Sequence, residues 1–211
     1  ITANGEPTLY PYLKELVVFL KTKPQKKLIL TNSSTIMKED IQKIFKELDT
    51  VKLSLDCVSA KCFKKLDRAY KSIDVNDIVE GIIAFSREFK NELIIEILFV
   101  KNINDTKSEV KLLNEVLLQI DPDRVDIGTI DRPPAYDVEA LSYEQLFELA
   151  KLFDPSLKIN IASRKQTGSN PQNYSSNEIV TTLSKRPLTD EDITLLFDKE
   201  SQKRFLKLLK W

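Results

Sequence analysis

Short apolar segments alternate with amphipathic helical segments through the first 161 residues, and this alternation restricts the fold more than any other feature of the sequence. Five apolar segments have the character of strands buried on both faces, which predicts strands at 28–30, 51–56, 93–100, 124–130 and 157–161. Helical spacing of apolar residues predicts helices at 12–20, 38–48, 59–68, 75–89, 108–120 and 142–153. Strands separated by helices form parallel sheets with right-handed crossovers. The sequence therefore predicts an α/β fold, an open sheet or a partial barrel of five or six strands, with 1–4 as the end of the first visible strand and one βα unit before it.

The C-terminal part of the chain has a different pattern. Residues 163–175 are polar and contain Gly, Pro and Asn, which predicts a linker between a domain at 1–162 and a helical module at 176–211. Three short helical patterns follow, at 177–184, 190–197 and 200–209. Two interpretations are open: a helical cap that packs on the sheet domain, or a small winged-helix-like module that contacts a partner.

Composition excludes several functions. The 32 basic and 32 acidic residues cancel, so no overall field attracts nucleic acid or an anionic membrane. No apolar run approaches the roughly 20 residues of a membrane span. The sequence has no histidine, which excludes Ser-His-Asp hydrolysis and His-ligated zinc catalysis within this chain. Two cysteines, Cys57 and Cys62, are too few for a disulfide framework or a complete metal site, so we expect unligated cysteines and a cytoplasmic protein.

Small and polar residues follow the first two predicted strands, where sites of βα folds lie. Gly5, Glu6 and Pro7 form a turn that lets a ligand approach the backbone and offers a carboxylate to an ammonium group, although a plain surface turn has the same sequence. Asn32 and Ser33 lie after the next strand, where they either bind a carboxylate or ribose or cap the following helix.

Polar residues also interrupt two apolar strands. Alternation places Ser54 and Asp56 on the same face of a strand as Lys52. Glu96 lies within the apolar segment 93–100, so its carboxylate needs a partner such as Lys52 or a ligand hydroxyl. Asn104 follows that strand.

Later in the chain, Asp131, Arg132, Pro133 and Pro134 follow the strand predicted at 124–130. The Arg132 guanidinium is suited to a carboxylate or phosphate, and a surface ion pair with Asp131 is the alternative.

Four segments of the sequence, taken together, resemble the radical S-adenosylmethionine (SAM) superfamily. They are the Gly-Glu-Pro turn, the Thr-Asn-Ser strand end, the Ser-Leu-Asp strand and the Ile-Asp-Arg-Pro-Pro segment. The resemblance covers about residues 1–161 and is greatest to bacterial Fe-S oxidoreductase-like members related to the wyosine-forming tRNA enzymes. It implies a partial (βα)6 TIM-like barrel, here missing its first βα unit, with SAM bound at the strand ends. It also implies three groups of site residues. The SAM amino group and methionyl part would be bound by Gly5, Glu6, Pro7, Asn32 and Ser33. The ribose or carboxylate of SAM would be bound by Ser54 and Asp56, with Glu96 and Asn104 as weaker candidates, and the substrate by Arg132.

The sequence departs from that family in one respect. The [4Fe-4S] cluster of the superfamily is held by a Cx3Cx2C loop that belongs upstream of residue 1, so we expect a fragment that is inactive alone, with the cluster present only in the full-length parent. SAM and an unknown substrate are then the expected ligands. One alternative is a non-catalytic, degenerate barrel that binds RNA or protein through its C-terminal module. Another is an ordinary βα-barrel enzyme that uses Glu6, Asp56 and Glu96 as acid–base groups.

Overall fold

The computed structural model describes residues 1–3, 5–161, 171–185, 188 and 190–209, without the side chains of 185 and 191. The chain divides into two compact units. The first consists of Ile1–Thr129 and Glu139–Ala162, and the second of Ile130–Val138 and Ser163–Trp211. No helix in the described ranges combines the length and the apolar character needed to cross a bilayer.

The first unit contains a five-stranded parallel sheet in the order β1-β2-β3-β4-β5. The five strands are β1 (Leu28–Thr31), β2 (Thr50–Ser54), β3 (Glu92–Phe99), β4 (Arg124–Thr129) and β5 (Ile159–Ile161). Each strand lies beside the one before it in the chain, so right-handed crossovers place all the connecting helices on one face of the sheet. All five predicted strands are confirmed.

Within the described residues of the first unit, six α-helices and one short 3₁₀ helix accompany the sheet. They are a 3₁₀ helix (Pro7–Leu9), α1 (Leu13–Lys21), α2 (Glu39–Phe45), α3 (Ala60–Leu66), α4 (Val75–Glu88), α5 (Lys107–Ile120) and α6 (Tyr143–Ala150). Several begin at a side chain that accepts a hydrogen bond from the first turn, as free helix N–H groups require. Ser59 caps α3 as predicted, and Ser142 forms a capping box with Gln145 at α6.

The hydrophobic core lies on the side of the sheet that carries the helices. Alternate residues of the central strands are completely buried there, among them Val51, Leu53, Ile95 and Ile127. The opposite face carries charged and polar residues at the intervening positions of β2, β3, β4 and β5. We call it the polar face and define it by Lys52, Ser54, Glu96, Arg124, Asp126 and Asn160.

The chain start partly confirms the strand predicted at 1–4. The Ile1 amino group donates to the carbonyl of Leu28, and the Ile1 carbonyl accepts from the Leu30 N–H at 3.0 Å. This is how a residue of a parallel strand bonds to its neighbour, here beside Ile29. Residue 4 lies outside the described residues, and no strand is assigned at 1–3.

The described part of the second unit contains the helices α7 (Ser176–Lys185), α8 (Asp190–Leu196) and α9 (Lys199–Leu208). Phe197 is fully buried and packs against the rings of Tyr174 and Phe205. Gln172 forms an isolated parallel bridge with Phe197, so the end of the predicted linker packs within this unit. Linker residues 163–170 lie outside the described part of the chain, and the described residues include no β-hairpin that would form a wing.

Candidate functional site

The carboxylate of Glu6 joins the loop at residues 5–8 to the end of β1. Its Oε1 accepts hydrogen bonds from the Thr8 N–H at 3.0 Å, the Thr8 hydroxyl at 2.7 Å and the Thr31 hydroxyl at 2.7 Å. Its Oε2 accepts from the Asn32 N–H at 2.7 Å. A carboxylate has about four acceptor positions, and four donors of the chain approach this one. Glu6 therefore holds the shape of the loop.

Gly5 leaves open space in the same loop. A Cβ atom built on Gly5 would meet no atom within 4 Å, and its φ is not positive, so neither contact nor backbone conformation within the described chain requires a glycine here. Pro7 opens the 3₁₀ helix at a position where its missing N–H is not needed. The loop thus has a fixed carboxylate beside an open backbone.

Asn32 and Ser33 fix the turn after β1. Ser33 is fully buried and has a positive φ of 65°, a conformation that costs a non-glycine residue about 1 kcal/mol or more. Its hydroxyl donates to the backbone carbonyl of Ser54 at 2.8 Å. The Asn32 side chain accepts from the Ser34 N–H at 3.0 Å. These residues therefore tie the ends of β1 and β2 together.

Four polar residues lie side by side on the polar face. In the register of the sheet, Ser54 pairs with Glu96, Glu96 with Asp126, and Asp126 with Asn160. Lys52 precedes Ser54 by two residues and so projects from the same face. The predicted polar row on β2 thus continues across three further strands.

An ion network crosses this face. The Lys52 ammonium lies 2.6 Å from Glu96 Oε1 and 3.0 Å from Asp126 Oδ2. Arg124 donates to both oxygens of Asp126, at 2.8 and 3.2 Å, and Asn160 donates to Asp126 at 2.8 Å. The prediction that Glu96 pairs with Lys52 is confirmed. The other expected partner was a ligand hydroxyl. Arg124, Asp126 and Asn160 were missed, although charges two residues apart in an apolar strand were a usable signal.

The network keeps its buried groups charged. Burial opposes the charge of Lys52, but hydrogen bonds and attraction to Glu96 and Asp126 outweigh it and raise the Lys52 pKa. Burial likewise disfavours the Asp126 carboxylate, while its bonds to Arg124, Asn160 and Lys52 outweigh this and lower its pKa. The Lys52 ammonium and the Asp126 carboxylate are therefore stabilised in their charged forms.

Asp56 follows β2 and has a different electrostatic environment. Burial raises its pKa to about 7, the hydrogen bond from the Leu98 N–H at 2.7 Å opposes this rise, and the nearby carboxylates of Asp67 and Glu96 add to it. Burial also raises the pKa of Asp67 to about 6. Asp56 is therefore a carboxyl group that gains and loses its proton close to neutral pH.

The other two predicted residues have different surroundings. Asn104 is completely buried, and its amide accepts from the Val100 N–H and donates to the carbonyls of Asp56 and Leu98, which joins the ends of β2 and β3. Arg132 belongs to the second unit, where its exposed guanidinium lies 3.9 Å from Asp131. The predicted residues from Gly5 to Asn104 thus belong to the first unit, and Arg132 belongs to the second.

The two cysteines form a disulfide, with their Cα atoms 5.6 Å apart. From the sequence we expected cysteines that bind no metal and did not predict this bond, which joins Cys57 in the loop after β2 to Cys62 in the first turn of α3. Glu109 lies beside them and accepts from the Val58 N–H, the Ser59 N–H and the Ser59 hydroxyl at 2.6–2.9 Å. The two sulfurs are bonded to each other, and Glu109 already accepts three hydrogen bonds. Cys57, Cys62 and Glu109 therefore stabilise the loop before α3 rather than bind a metal.

Comparison with solved structures places the sheet in a known class. A domain of the pyruvate-formate lyase-activating enzyme from Bacteroides vulgatus has a TM-score of 0.62 and 14% identity, over 76% of this chain and 96% of that one. The structure of TYW1 with a lysine-pyruvate adduct bound has a TM-score of 0.59 and 19% identity, over 72% and 48%. Streptococcus suis SuiB bound to S-adenosylmethionine has a TM-score of 0.56 and 16% identity, over 75% and 38%. The fold is that of the radical SAM enzymes.

Sequence comparison gives the family. The chain is 38% identical over 212 aligned positions to a UPF0026 protein of Helicobacter pylori. The alignment covers 99% of this chain and 68% of that protein. It is 28% identical to UPF0026 protein MJ1312 of Methanocaldococcus jannaschii, over 94% of this chain and 64% of the relative. No protein-family model matches the sequence. The chain belongs to the UPF0026 family.

Proposed function

We propose that this chain is the SAM-binding part of a radical SAM enzyme. In this proposal the sheet is a partial (βα)6 barrel, its polar face is the interior of the barrel, and the first βα unit with its Cx3Cx2C loop precedes residue 1 in the whole protein. One observation carries the proposal: the Gly-Glu-Pro loop, the end of β1 and the end of β2 are joined at one edge of the sheet by Glu6 and Ser33. Ligands of parallel βα folds bind at that edge.

The residues at this edge suit the parts of SAM. The open space at Gly5 admits the amino group to backbone carbonyls, with the Glu6 carboxylate behind them. The side-chain hydroxyl of Ser54 forms no hydrogen bond among the described residues, and it offers a donor and an acceptor to the ribose or the carboxylate of SAM. Glu96 on the neighbouring strand offers its Oε2. Asn32, Ser33 and Asn104 support these groups by fixing the strand ends.

The cluster does not fit the residues of this chain. A [4Fe-4S] cluster is held by cysteine thiolates, whereas this sequence has two cysteines and the structure joins them. We therefore assign to these 211 residues the binding and orientation of SAM, and no step that passes through a cluster. When both groups are bound in the whole protein, they supply the chemistry of a 5′-deoxyadenosyl radical.

In this proposal Arg132 recognises the substrate. Arg132 is assigned to a substrate carboxylate or phosphate because its guanidinium is about half exposed and pairs only distantly with Asp131. The non-catalytic alternative, an RNA- or protein-binding module at the C-terminal helices, has no observation of its own. In α9, Arg204 is bound to Asn173 and to the carbonyl of Tyr174, and Lys203 pairs with Glu200.

Calorimetric titration of SAM into the 211-residue chain tests the proposal. We expect binding by the wild type and an affinity about twofold to tenfold lower for Ser54→Ala, because one hydrogen bond is lost. Ser86→Ala is the matched control, since the Ser86 hydroxyl bonds within α4 to the carbonyl of Ile83. Absence of SAM binding by a wild-type chain that unfolds cooperatively would overturn the proposal.

A further inference from the structure

The Lys52 side chain spans three strands of the polar face. It starts on β2, and its ammonium contacts Glu96 on β3 at 2.6 Å and Asp126 on β4 at 3.0 Å. Ile94 of β3 is the register partner of Lys52, and it is buried to 1% exposure although it lies outside the main hydrophobic cluster. The lysine therefore crosses β3, beside Ile94, to reach a carboxylate on β4.

The end of the network at Asp126 is rigidly held. Asp126 is 5% exposed, and its two oxygens bind Arg124, Asn160 and Lys52. The side chain of Lys52 is itself only 17% exposed. Arg124, which binds Asp126, also lies 3.7 Å from the Glu92 carboxylate. Asp126 therefore has a cation on each side and forms the fixed anchor of Lys52.

The end of the network at Glu96 is open. Its side chain is 39% exposed, and Lys52 binds only Oε1. Within the described ranges no hydrogen bond reaches Oε2, and Ser54 is the register partner on the adjacent strand. Ordering a free glutamate side chain costs about 1.5–2 kcal/mol. Lys52 removes much of this cost before a ligand arrives, which favours binding without a contact between the lysine and the ligand.

We propose that Lys52 is a positioning residue of the SAM site, which uses its anchor on Asp126 to hold the Glu96 carboxylate with Oε2 beside the Ser54 hydroxyl. This inference rests on the proposed function. A positioning role differs from that of a purely structural ion pair in one measurable way. If Lys52 positions Glu96, removal of Lys52 weakens SAM binding when Glu96 is present and has no further effect when Glu96 has been replaced.

A double-mutant cycle tests the inference. SAM is titrated into the wild-type chain, Lys52→Met, Glu96→Gln and the double variant, and the urea unfolding of each is measured. We expect each single variant to bind SAM about tenfold more weakly, and the double variant to bind no more weakly than Glu96→Gln, because coupled residues are not additive. Lys52→Arg should restore most of the affinity. Lys43→Met, which removes a lysine from an exposed pair with Glu39, is the matched control.

The outcomes separate the two proposals. If the wild type binds SAM and the two substitutions add independently in affinity, Lys52 is only structural and the inference is overturned while the proposed function stands. The same holds if Lys52→Met lowers stability alone and leaves the affinity of the folded chain unchanged. If the wild type binds no SAM, the proposed function and the positioning role are both overturned.

Discussion

The hydroxyl of Ser33 donates a hydrogen bond of 2.8 Å to the backbone carbonyl of Ser54, and this bond joins the end of β1 to the end of β2. Ser33 accepts a left-handed backbone, with φ of 65°, to make it. Non-glycine residues rarely adopt this conformation outside sites where the surrounding structure compensates. The edge of the sheet at which we place SAM is therefore held by bonds of the chain itself.

Glu6 should contribute strongly to stability. Glu6→Ala removes the acceptor of four hydrogen bonds and leaves the donors of the buried Thr8 and Thr31 and of the exposed Asn32 without it. Hydrogen bonds to a charged group are worth about 1.5–3 kcal/mol each, and their losses are not additive, so we expect the free energy of unfolding to fall by about 3 kcal/mol. Urea denaturation measures this.

The control for Glu6→Ala is Glu47→Ala, which removes an exposed carboxylate paired with Lys21. Exposed pairs contribute about 0–1 kcal/mol. Equal losses for the two variants would show that the Glu6 bonds do not hold the loop.

Substitution by alanine should lower stability at Gly81 but not at Gly5. A Cβ at Gly81 would lie 2.6 Å from Met37 Sδ and 2.8 Å from Ile36 Cγ2, and the buried Ile36 side chain has little room to move. Overpacking costs about 1–3 kcal/mol, and better helix propensity returns about 1 kcal/mol. We therefore expect Gly81→Ala to lower the unfolding free energy by about 1 kcal/mol.

Gly5→Ala should leave stability unchanged within about 0.5 kcal/mol, because the added methyl group meets nothing in the described chain. It should weaken SAM binding, since the methyl enters the space assigned to the cofactor. Thermal unfolding and calorimetric titration of both glycine variants check the pair. A Gly5→Ala chain that binds SAM as tightly as the wild type would contradict the assignment of this loop.

Asp56 should make stability depend on pH. Burial raises its folded-state pKa to about 7, above the ordinary value of 3.8, so its ionisation works against the folded state. The penalty is absent below the unfolded pKa, grows as pH rises from about 4, and is complete above about pH 7. Asp56→Asn keeps an acceptor for the Leu98 N–H and removes the charge.

We therefore expect Asp56→Asn to unfold at a higher urea concentration than the wild type, with a larger gain at about pH 8 than at about pH 5. Asp67→Asn, which removes a neighbouring carboxylate of raised pKa, should give a smaller gain of the same sign. An equal effect of Asp56→Asn at both pH values would contradict the burial of this charge.

The Cys57–Cys62 disulfide should be detectable and dispensable. Thiol titration of the unfolded protein, purified without reductant, should find no free thiol, and two after reduction. Closing so short a loop is worth about 2 kcal/mol, and Glu109 holds the same loop through three hydrogen bonds. Cys57→Ser with Cys62→Ser should therefore remain folded at room temperature. Two free thiols before reduction would contradict the pairing.

The sequence was most informative where the signal was local. The strands of the first unit were predictable because apolar, β-branched runs such as 93–100 are hard to place elsewhere, and Ser59 was recognisable as a helix cap. The Lys52–Glu96 pair followed from strand alternation and from the cost of an unpaired carboxylate in an apolar strand.

The remainder depends on contacts between residues far apart in the chain. Glu6 meets Asn32 26 positions away, and Asn104 meets the carbonyl of Asp56 48 positions away, so no short pattern showed that these side chains bind the backbone. Asp126 was overlooked because its partner Lys52 lies two strands away. The packing of Gln172 and Tyr174 against Phe197 was hidden by a polar composition typical of linkers.

The most direct test of the central claim is reductive cleavage of SAM. The protein is expressed with the coding sequence upstream of residue 1, reconstituted anaerobically with iron and sulfide, and assayed for dithionite-dependent 5′-deoxyadenosine, beside Ser54→Ala and the 211-residue chain alone. We predict product from the extended protein, less from the variant, and none from the 211-residue chain. An extended protein that binds iron and sulfide yet cleaves no SAM, or cleavage by the 211-residue chain alone, would contradict the account.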